Sequence, residues 1–142
     1  MNNEFISSMR VYIEDTDAGG IVYYVNYLKY MERARTELFR KLGYDKPALI
    51  TDGLLLVVAA SHVNYRKSAR LDDWLDVSAN IKKIAKTYIE FDQRVYKEGE
   101  LLCDAEIKIA CVSKNEMKPK RFPADVCQAF TTYFSTQGSL SS

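Results

Sequence analysis

Tyr27, Tyr30, Met31, Ala34, Leu38 and Leu42 recur at spacings of three and four, the one long helical period in the chain. At 3.6 residues per turn these positions share a side, so a helix is predicted from about Tyr23 to Leu42 with a single apolar stripe. Glu32, Arg33, Thr36, Glu37 and Arg40 fill much of the opposite side. Gly43 stands where a left-handed C-terminal cap belongs, and Pro47 prevents early resumption. A helix with one greasy stripe must bury it against another element.

The remaining chain supplies that surface as strands. Met9–Glu14 reads as a short strand and Leu54–Tyr65 as a long apolar one. From Trp74 to Lys82, Leu75, Val77, Ala79 and Ile81 alternate with Asp76, Ser78, Asn80 and Lys82. Tyr88–Tyr96 and Leu102–Val112 alternate in the same way, a period that belongs to strands buried on one face. Short connections at Lys83–Lys86 and Lys97–Glu100 make the last three strands an antiparallel meander, with Gly99 supplying the left-handed turn residue. Pro123 starts a short final helix over about Ala124–Phe134. The expected fold is α+β, ordered β-α-β-β-β-β-α: a five-stranded antiparallel sheet wrapped around a long central helix, with a short C-terminal helix.

A length of 142 residues fits a single domain over 1–142, with the polar tail 135–142 expected to fray. A net charge of +1 lacks the basic excess of a nucleic-acid binder. Cys103, Cys111 and Cys127 are odd in number and show no C-x-x-C spacing, as expected of reduced structural thiols. The N-terminus lacks the pattern of a secretion signal, and no apolar run approaches a membrane span. These features together predict a cytoplasmic protein without a transmembrane segment.

Chemistry concentrates in Asp15-Thr16-Asp17-Ala18-Gly19-Gly20-Ile21-Val22-Tyr23-Tyr24, where a strand runs through two carboxylates and two glycines into the helix. The first N–H groups of a helix lack internal partners and carry partial positive charge. A carboxylate beside such a hole for developing negative charge suits acyl transfer or hydrolysis. Asp17 is the candidate catalytic residue and the Tyr24 N–H, with that of Val25, the candidate oxyanion donor. Gly19 and Gly20 would let the backbone turn sharply and approach a ligand. The alternative for Asp17 is a turn and helix-start role; Asp15 is read first as a local hydrogen-bonding residue. His62 is the only histidine, which excludes a multi-histidine metal site, and no metal is expected. It reads as structural or substrate-lining. Glu32 and Arg35 read as a surface or interface ion pair.

The string D-T-D-A-G-G-I-V-Y-Y-V-N-Y with Glu32-Arg33-Ala34-Arg35-Thr36-Glu37 resembles hotdog-fold acyl-CoA thioesterases. The closest group is the 4-hydroxybenzoyl-CoA thioesterase family, including its Tol–Pal-associated branch. Ala69-Arg70-Leu71-Asp72-Asp73 and Met117-Lys118-Pro119-Lys120 are supporting matches. The resemblance implies that Asp17 is the catalytic carboxylate, acting as nucleophile or general base, and that the Tyr24 N–H polarises the thioester carbonyl. Tyrosine stands at Tyr24, as in 4-hydroxybenzoyl-type members, where the Tol–Pal branch usually carries histidine; isoleucine stands at Ile13, where that branch often carries tyrosine. The resemblance also implies a homo-oligomer, a dimer or a tetramer, with each site completed by a neighbouring subunit. The substrate would be an acyl-CoA, with coenzyme A arriving as part of it and no separate cofactor.

Tyr27, Val57, Val58 and Ala60 are candidates for the pocket walls. Lys82, Lys83 and Lys86, or Lys118, Lys120 and Arg121, are candidates to meet the phosphates of coenzyme A. A non-catalytic acyl-CoA or acyl-carrier binding protein on the same fold is the runner-up, and a thioester-acting hydratase a third reading.

Overall fold

The apolar stripe folds as expected. In the computed structural model, which describes residues 4–44, 49–51 and 53–135, α1 spans Asn26–Lys41 and buries Tyr27, Tyr30, Met31, Ala34 and Leu38. Its end is a capped turn. Gly43, at φ +100°, donates its N–H to the Arg40 carbonyl, and Tyr44 donates to Phe39. That pair of bonds satisfies carbonyls a helix end would otherwise leave open. Pro47, assigned a part in stopping the helix, and residues 136–142 of the tail lie outside the described residues.

The strands are β1 (Ile6–Arg10), β2 (Leu49–Thr51), β3 (Leu54–Tyr65), β4 (Trp74–Ser78), β5 (Asn80–Ile84), β6 (Tyr88–Lys97) and β7 (Glu100–Ser113). They form one antiparallel sheet in the order β1-β4-β6-β7-β3-β2, with β5 continuing beside β6. Alternation places Leu75, Val77, Ile89, Phe91, Val95, Cys103, Ile107 and Ile109 on the buried face toward α1. Glu98 and Gly99, both at positive φ, close the β6–β7 hairpin in a tight turn. The final helix, α2 (Ala124–Ser135), lays Phe130 against Phe39 and Phe91, with ring centroids 5.1 and 6.2 Å apart.

Four expectations need correction. Seven strand segments replace five: β2 has only three residues, too few to show a period, and the predicted strand over Trp74–Lys82 breaks at Ala79. There the Ala79 N–H turns to the Phe5 carbonyl, the Ser78 hydroxyl accepts the Arg94 N–H, and the Ser78 carbonyl takes the Gln93 side chain. The first strand ends at Arg10 rather than Glu14, because Asp15 accepts the Tyr12 N–H and winds Ile13–Asp15 into a 3-10 turn. The helix starts at Asn26 rather than Tyr23. Arg35 does not pair with Glu32. It turns inward and donates to the Gln93 side chain at 2.8 Å, while Glu32 accepts from Thr36.

Candidate active site

Residues 15–26 form a loop held by a run of backbone hydrogen bonds. Thr16 bridges Val22, the Asp17 N–H reaches the Ile21 carbonyl at 3.0 Å, and the Gly20 N–H returns to the Asp17 carbonyl at 3.0 Å. Val22 donates to the Ala69 carbonyl and Leu71 to that of Gly20, which fixes the loop to the segment before β4. Asp17 is exposed at its crest. One carboxylate oxygen, Oδ1, accepts the Gly19 N–H at 3.0 Å; the other has no partner among the described residues. Asp15 is buried, and its carboxylate takes the Tyr12 N–H, the local role expected of it.

The two glycines differ. Gly20 sits at φ +73°, a conformation that costs any residue with a Cβ, whereas Gly19 does not need one. A Cβ on Gly19 would come no nearer than 3.6 Å to anything, the Asp17 Oδ1.

The Asn26 N–H closes a turn onto the Tyr23 carbonyl at 2.8 Å. Tyr24 and Val25 are its two central residues, and among the described residues neither backbone N–H has a hydrogen-bond partner. They therefore lie in the turn leading into α1 rather than inside its first turn. The Tyr24 and Val25 N–H groups, named as candidates from the sequence, are thus open in the turn before α1.

Aromatic rings line this end of α1. Tyr24 stands 5.1 Å from Tyr23 and 5.7 Å from Tyr65, and Tyr65 lies 5.8 Å from Tyr27. Tyr23, Tyr24 and Tyr65 are about half exposed, while Tyr27 is buried and its hydroxyl accepts the Ala69 N–H at 2.8 Å. Tyr27 is thus a packing residue more than an open wall. Burial raises the phenols of Tyr27 and Tyr65 above their ordinary range. Burial, with Asp15 nearby, does the same to Tyr30. These hydroxyls stay protonated at neutral pH. Sequence reasoning missed Tyr65, whose place at the end of the long apolar run Leu54–Tyr65 gives no sign that it meets Tyr24.

The other candidates sit elsewhere. Val57, Val58 and Ala60 pair with Ala110, Ile109 and Lys108 on β7, toward the far end of β3. Tyr65, at the near end, pairs with Cys103. Seven residues separate Val58 from Tyr65, about 20 Å at roughly 3.3 Å per residue. A single chain therefore keeps these apolar residues apart from the Tyr24–Tyr65 ring pair. Lys82, Lys83 and Lys86 also lie toward that far end. Lys82 pairs with Glu106 at 2.6 Å, and Lys83 donates to the Tyr88 hydroxyl at 3.0 Å; of the three, only Lys86 has no side-chain partner among the described residues. Lys118, Lys120 and Arg121 are exposed beyond β7, and His62 is exposed opposite Glu106. From Leu56 to Tyr65 the outer edge of β3 has no neighbouring strand among the described residues, and Val58 there is 57% exposed.

Comparison with known proteins matches residues 11–130 to a family described as the thioesterase-like superfamily. Acyl-CoA thioesterase YbgC of Haemophilus influenzae is 40% identical over 131 residues, covering 92% of this chain and 96% of that protein. Acyl-CoA thioester hydrolase YbgC of Escherichia coli O157:H7 is 40% identical over 123 residues, 86% of this chain and 92% of its own. Among solved structures, a probable thioesterase from Bartonella henselae superposes with a TM-score of 0.76 at 30% identity, covering 86% of this chain and all of that one (100%).

Proposed function

The chain belongs to the thioesterase-like superfamily, and from that premise we propose that it is an acyl-CoA thioesterase whose reacting groups are the Asp17 carboxylate and the Tyr24 backbone N–H. The observation that carries this reading is the segment 15–26. There an exposed carboxylate with an open oxygen and two unpaired backbone N–H groups stand on one hydrogen-bonded loop.

The thioester carbonyl oxygen would rest on the Tyr24 N–H, with Val25 as a second donor. Donors fixed in place favour the tetrahedral oxyanion over the flat ground state, and losing one costs about 3–4 kcal/mol of barrier elsewhere. Asp17 then acts by one of two routes. As nucleophile it attacks the carbonyl carbon and expels the coenzyme A thiolate, leaving an anhydride that water opens. As general base it takes a proton from water while the water oxygen attacks the same carbon. The tetrahedral intermediate then collapses, breaking the C–S bond and releasing the coenzyme A thiolate, which takes up the proton. Either route yields free acid and coenzyme A and calls for no separate cofactor.

The acyl pocket and the oligomer belong together. Antiparallel pairing of β3 with its own copy across a two-fold axis would cover the open edge and place the Tyr65 end of each chain against the Val57–Val58 end of the other. The apolar candidates that a single chain keeps about 20 Å from Tyr65 would then serve the neighbour's site. A dimer of this kind, or a tetramer of two such dimers, is the assembly we propose. Lys86 is the member of its cluster best placed to meet a phosphate, since Lys82 and Lys83 are engaged. Three unpaired cysteines fit a reducing, cytoplasmic setting.

The test is thiol release from acetyl- to palmitoyl-CoA and aryl-CoA substrates, comparing wild type with Asp17→Asn. A loss of at least about a hundredfold is expected. Equal rates would remove Asp17 from the chemistry, and binding of acyl-CoA without thiol release would favour a non-catalytic binding protein.

A further inference from the structure

The turn that carries the two open N–H groups is anchored at both ends to a single atom. Tyr23, its first residue, donates its backbone N–H to the Asp15 carbonyl oxygen at 3.0 Å. Asn26, its last, donates Nδ2 to the same oxygen at 2.7 Å. That carbonyl lies two residues before Asp17. Asn26 is 7% exposed and Asp15 6% exposed, so water does not compete freely for either bond. The Asn26 backbone N–H also closes the turn onto Tyr23, so one residue both shapes the donor turn and ties it to the 3-10 turn that leads into the carboxylate.

We propose that Asn26 is a positioning residue: its side-chain amide, through the Asp15 carbonyl, sets the spacing between the Asp17 carboxylate and the Tyr24 and Val25 N–H groups. This rests on the proposed function. The physical reason is that an oxyanion donor acts only at hydrogen-bond distance from where the charge develops, and a misplacement near 1 Å costs up to about a hundredfold in rate. Without the amide, the turn keeps its bond from Tyr23 but can pivot about it. A donor aimed at the developing oxyanion acts in the transition state more than in the ground state, so the loss falls on kcat and spares KM.

Two variants test it, each assayed on the acyl-CoA that the wild type turns over fastest, with kcat scaled to the folded fraction. Asn26→Ala should lower kcat about 10- to 100-fold with KM within about twofold. Asn26→Asp keeps the shape but aims a carboxylate at the carbonyl oxygen; when protonated, its O–H donates as the amide did. Burial against a carbonyl oxygen raises that carboxyl above the ordinary aspartate range, so the variant's kcat relative to wild type should climb as pH falls from about 8 to about 5. A folded Asn26→Ala protein with kcat within about twofold of wild type overturns the proposal. If Asn26→Ala does not fold, a flat Asn26→Asp ratio across pH overturns it instead. Activity that survives Asp17→Asn, or a wild type with none, sinks the proposed function and this inference together. Loss in Asp17→Asn with full activity in the Asn26 variants sinks only this one.

Discussion

Replacing Gln93 by leucine should destabilise the protein by about 2–4 kcal/mol, although leucine is close in size and more apolar. Gln93 is fully buried on β6 beneath α1. Its Oε1 accepts from Arg35 at 2.8 Å, and its Nε2 donates to the carbonyls of Met31 at 2.9 Å and Ser78 at 3.1 Å. Met31 keeps its helical partner, so its carbonyl loses little. The Ser78 carbonyl and the guanidinium lose more, at about 1–3 kcal/mol for a stranded buried group and about 1.5–3 for a bond to a charge. Arg35 already bears the strain of burial, which lowers its pKa to about 10. The methyl groups of leucine return about 1–2 kcal/mol. Unfolding 142 residues carries an entropy near 0.3 kcal/mol/K, so each kcal/mol moves the melting midpoint by about 3 °C. The expected drop is about 6–13 °C in calorimetry at fixed protein concentration. A second arm makes the reasoning specific: Gln93→Leu with Arg35→Met removes the cation along with its acceptor and should recover most of the loss. A fall below about 3 °C, or a double variant no better than the sum of its parts, would refute the assigned cause.

Three further outcomes follow from particular residues. Burial, with Asp104 adding to it, pushes the Cys103 thiol from 9.0 up to about 12. The folded chain holds a proton that the unfolded chain releases, so this contribution is complete below about pH 9 and drains away toward pH 12; Cys103→Ala should flatten that decline in alkaline thermal melts. Gly20→Ala should cost about 1 kcal/mol at φ +73° whereas Gly19→Ala should be nearly neutral, and equal urea midpoints would contradict the distinction. Val58→Arg should shift the proposed assembly toward monomer and lower thioesterase activity in step, because a guanidinium would be buried without a partner against the Tyr65 end of the neighbour's β3 edge; sedimentation unchanged from wild type would argue against that interface.

The parts of the fold that repeat over many residues were legible in the chain. The α1 stripe, the β6–β7 hairpin at Gly99 and the alternation of β4, β6 and β7 each rest on several residues that agree. What escaped rests on single bonds between distant residues. The strand break at Ala79 depends on Phe5 and on the side chains of Gln93 and Ser78. The delayed start of α1 depends on Asn26 reaching back to Asp15. At the candidate site, Asp17, Tyr24 and Gly20 lie within one local string, and periodicity places that string before the helix. The apolar candidates and the lysines were chosen by residue type alone, and strand register puts them at the opposite end of the sheet.

The loop from Asp15 to Asn26 draws its hydrogen bonds from itself, from flanking residues such as Tyr12 and Ile13 and from the short run Ala69–Leu71, and among the described residues none of them from β3. Exchanging Val57 or Val58 for bulkier or smaller side chains breaks no bond in that loop. In the proposed assembly, selectivity for the acyl group can therefore drift across generations at the strand while the proposed reacting groups stand still, a division of labour written into the chain's connectivity.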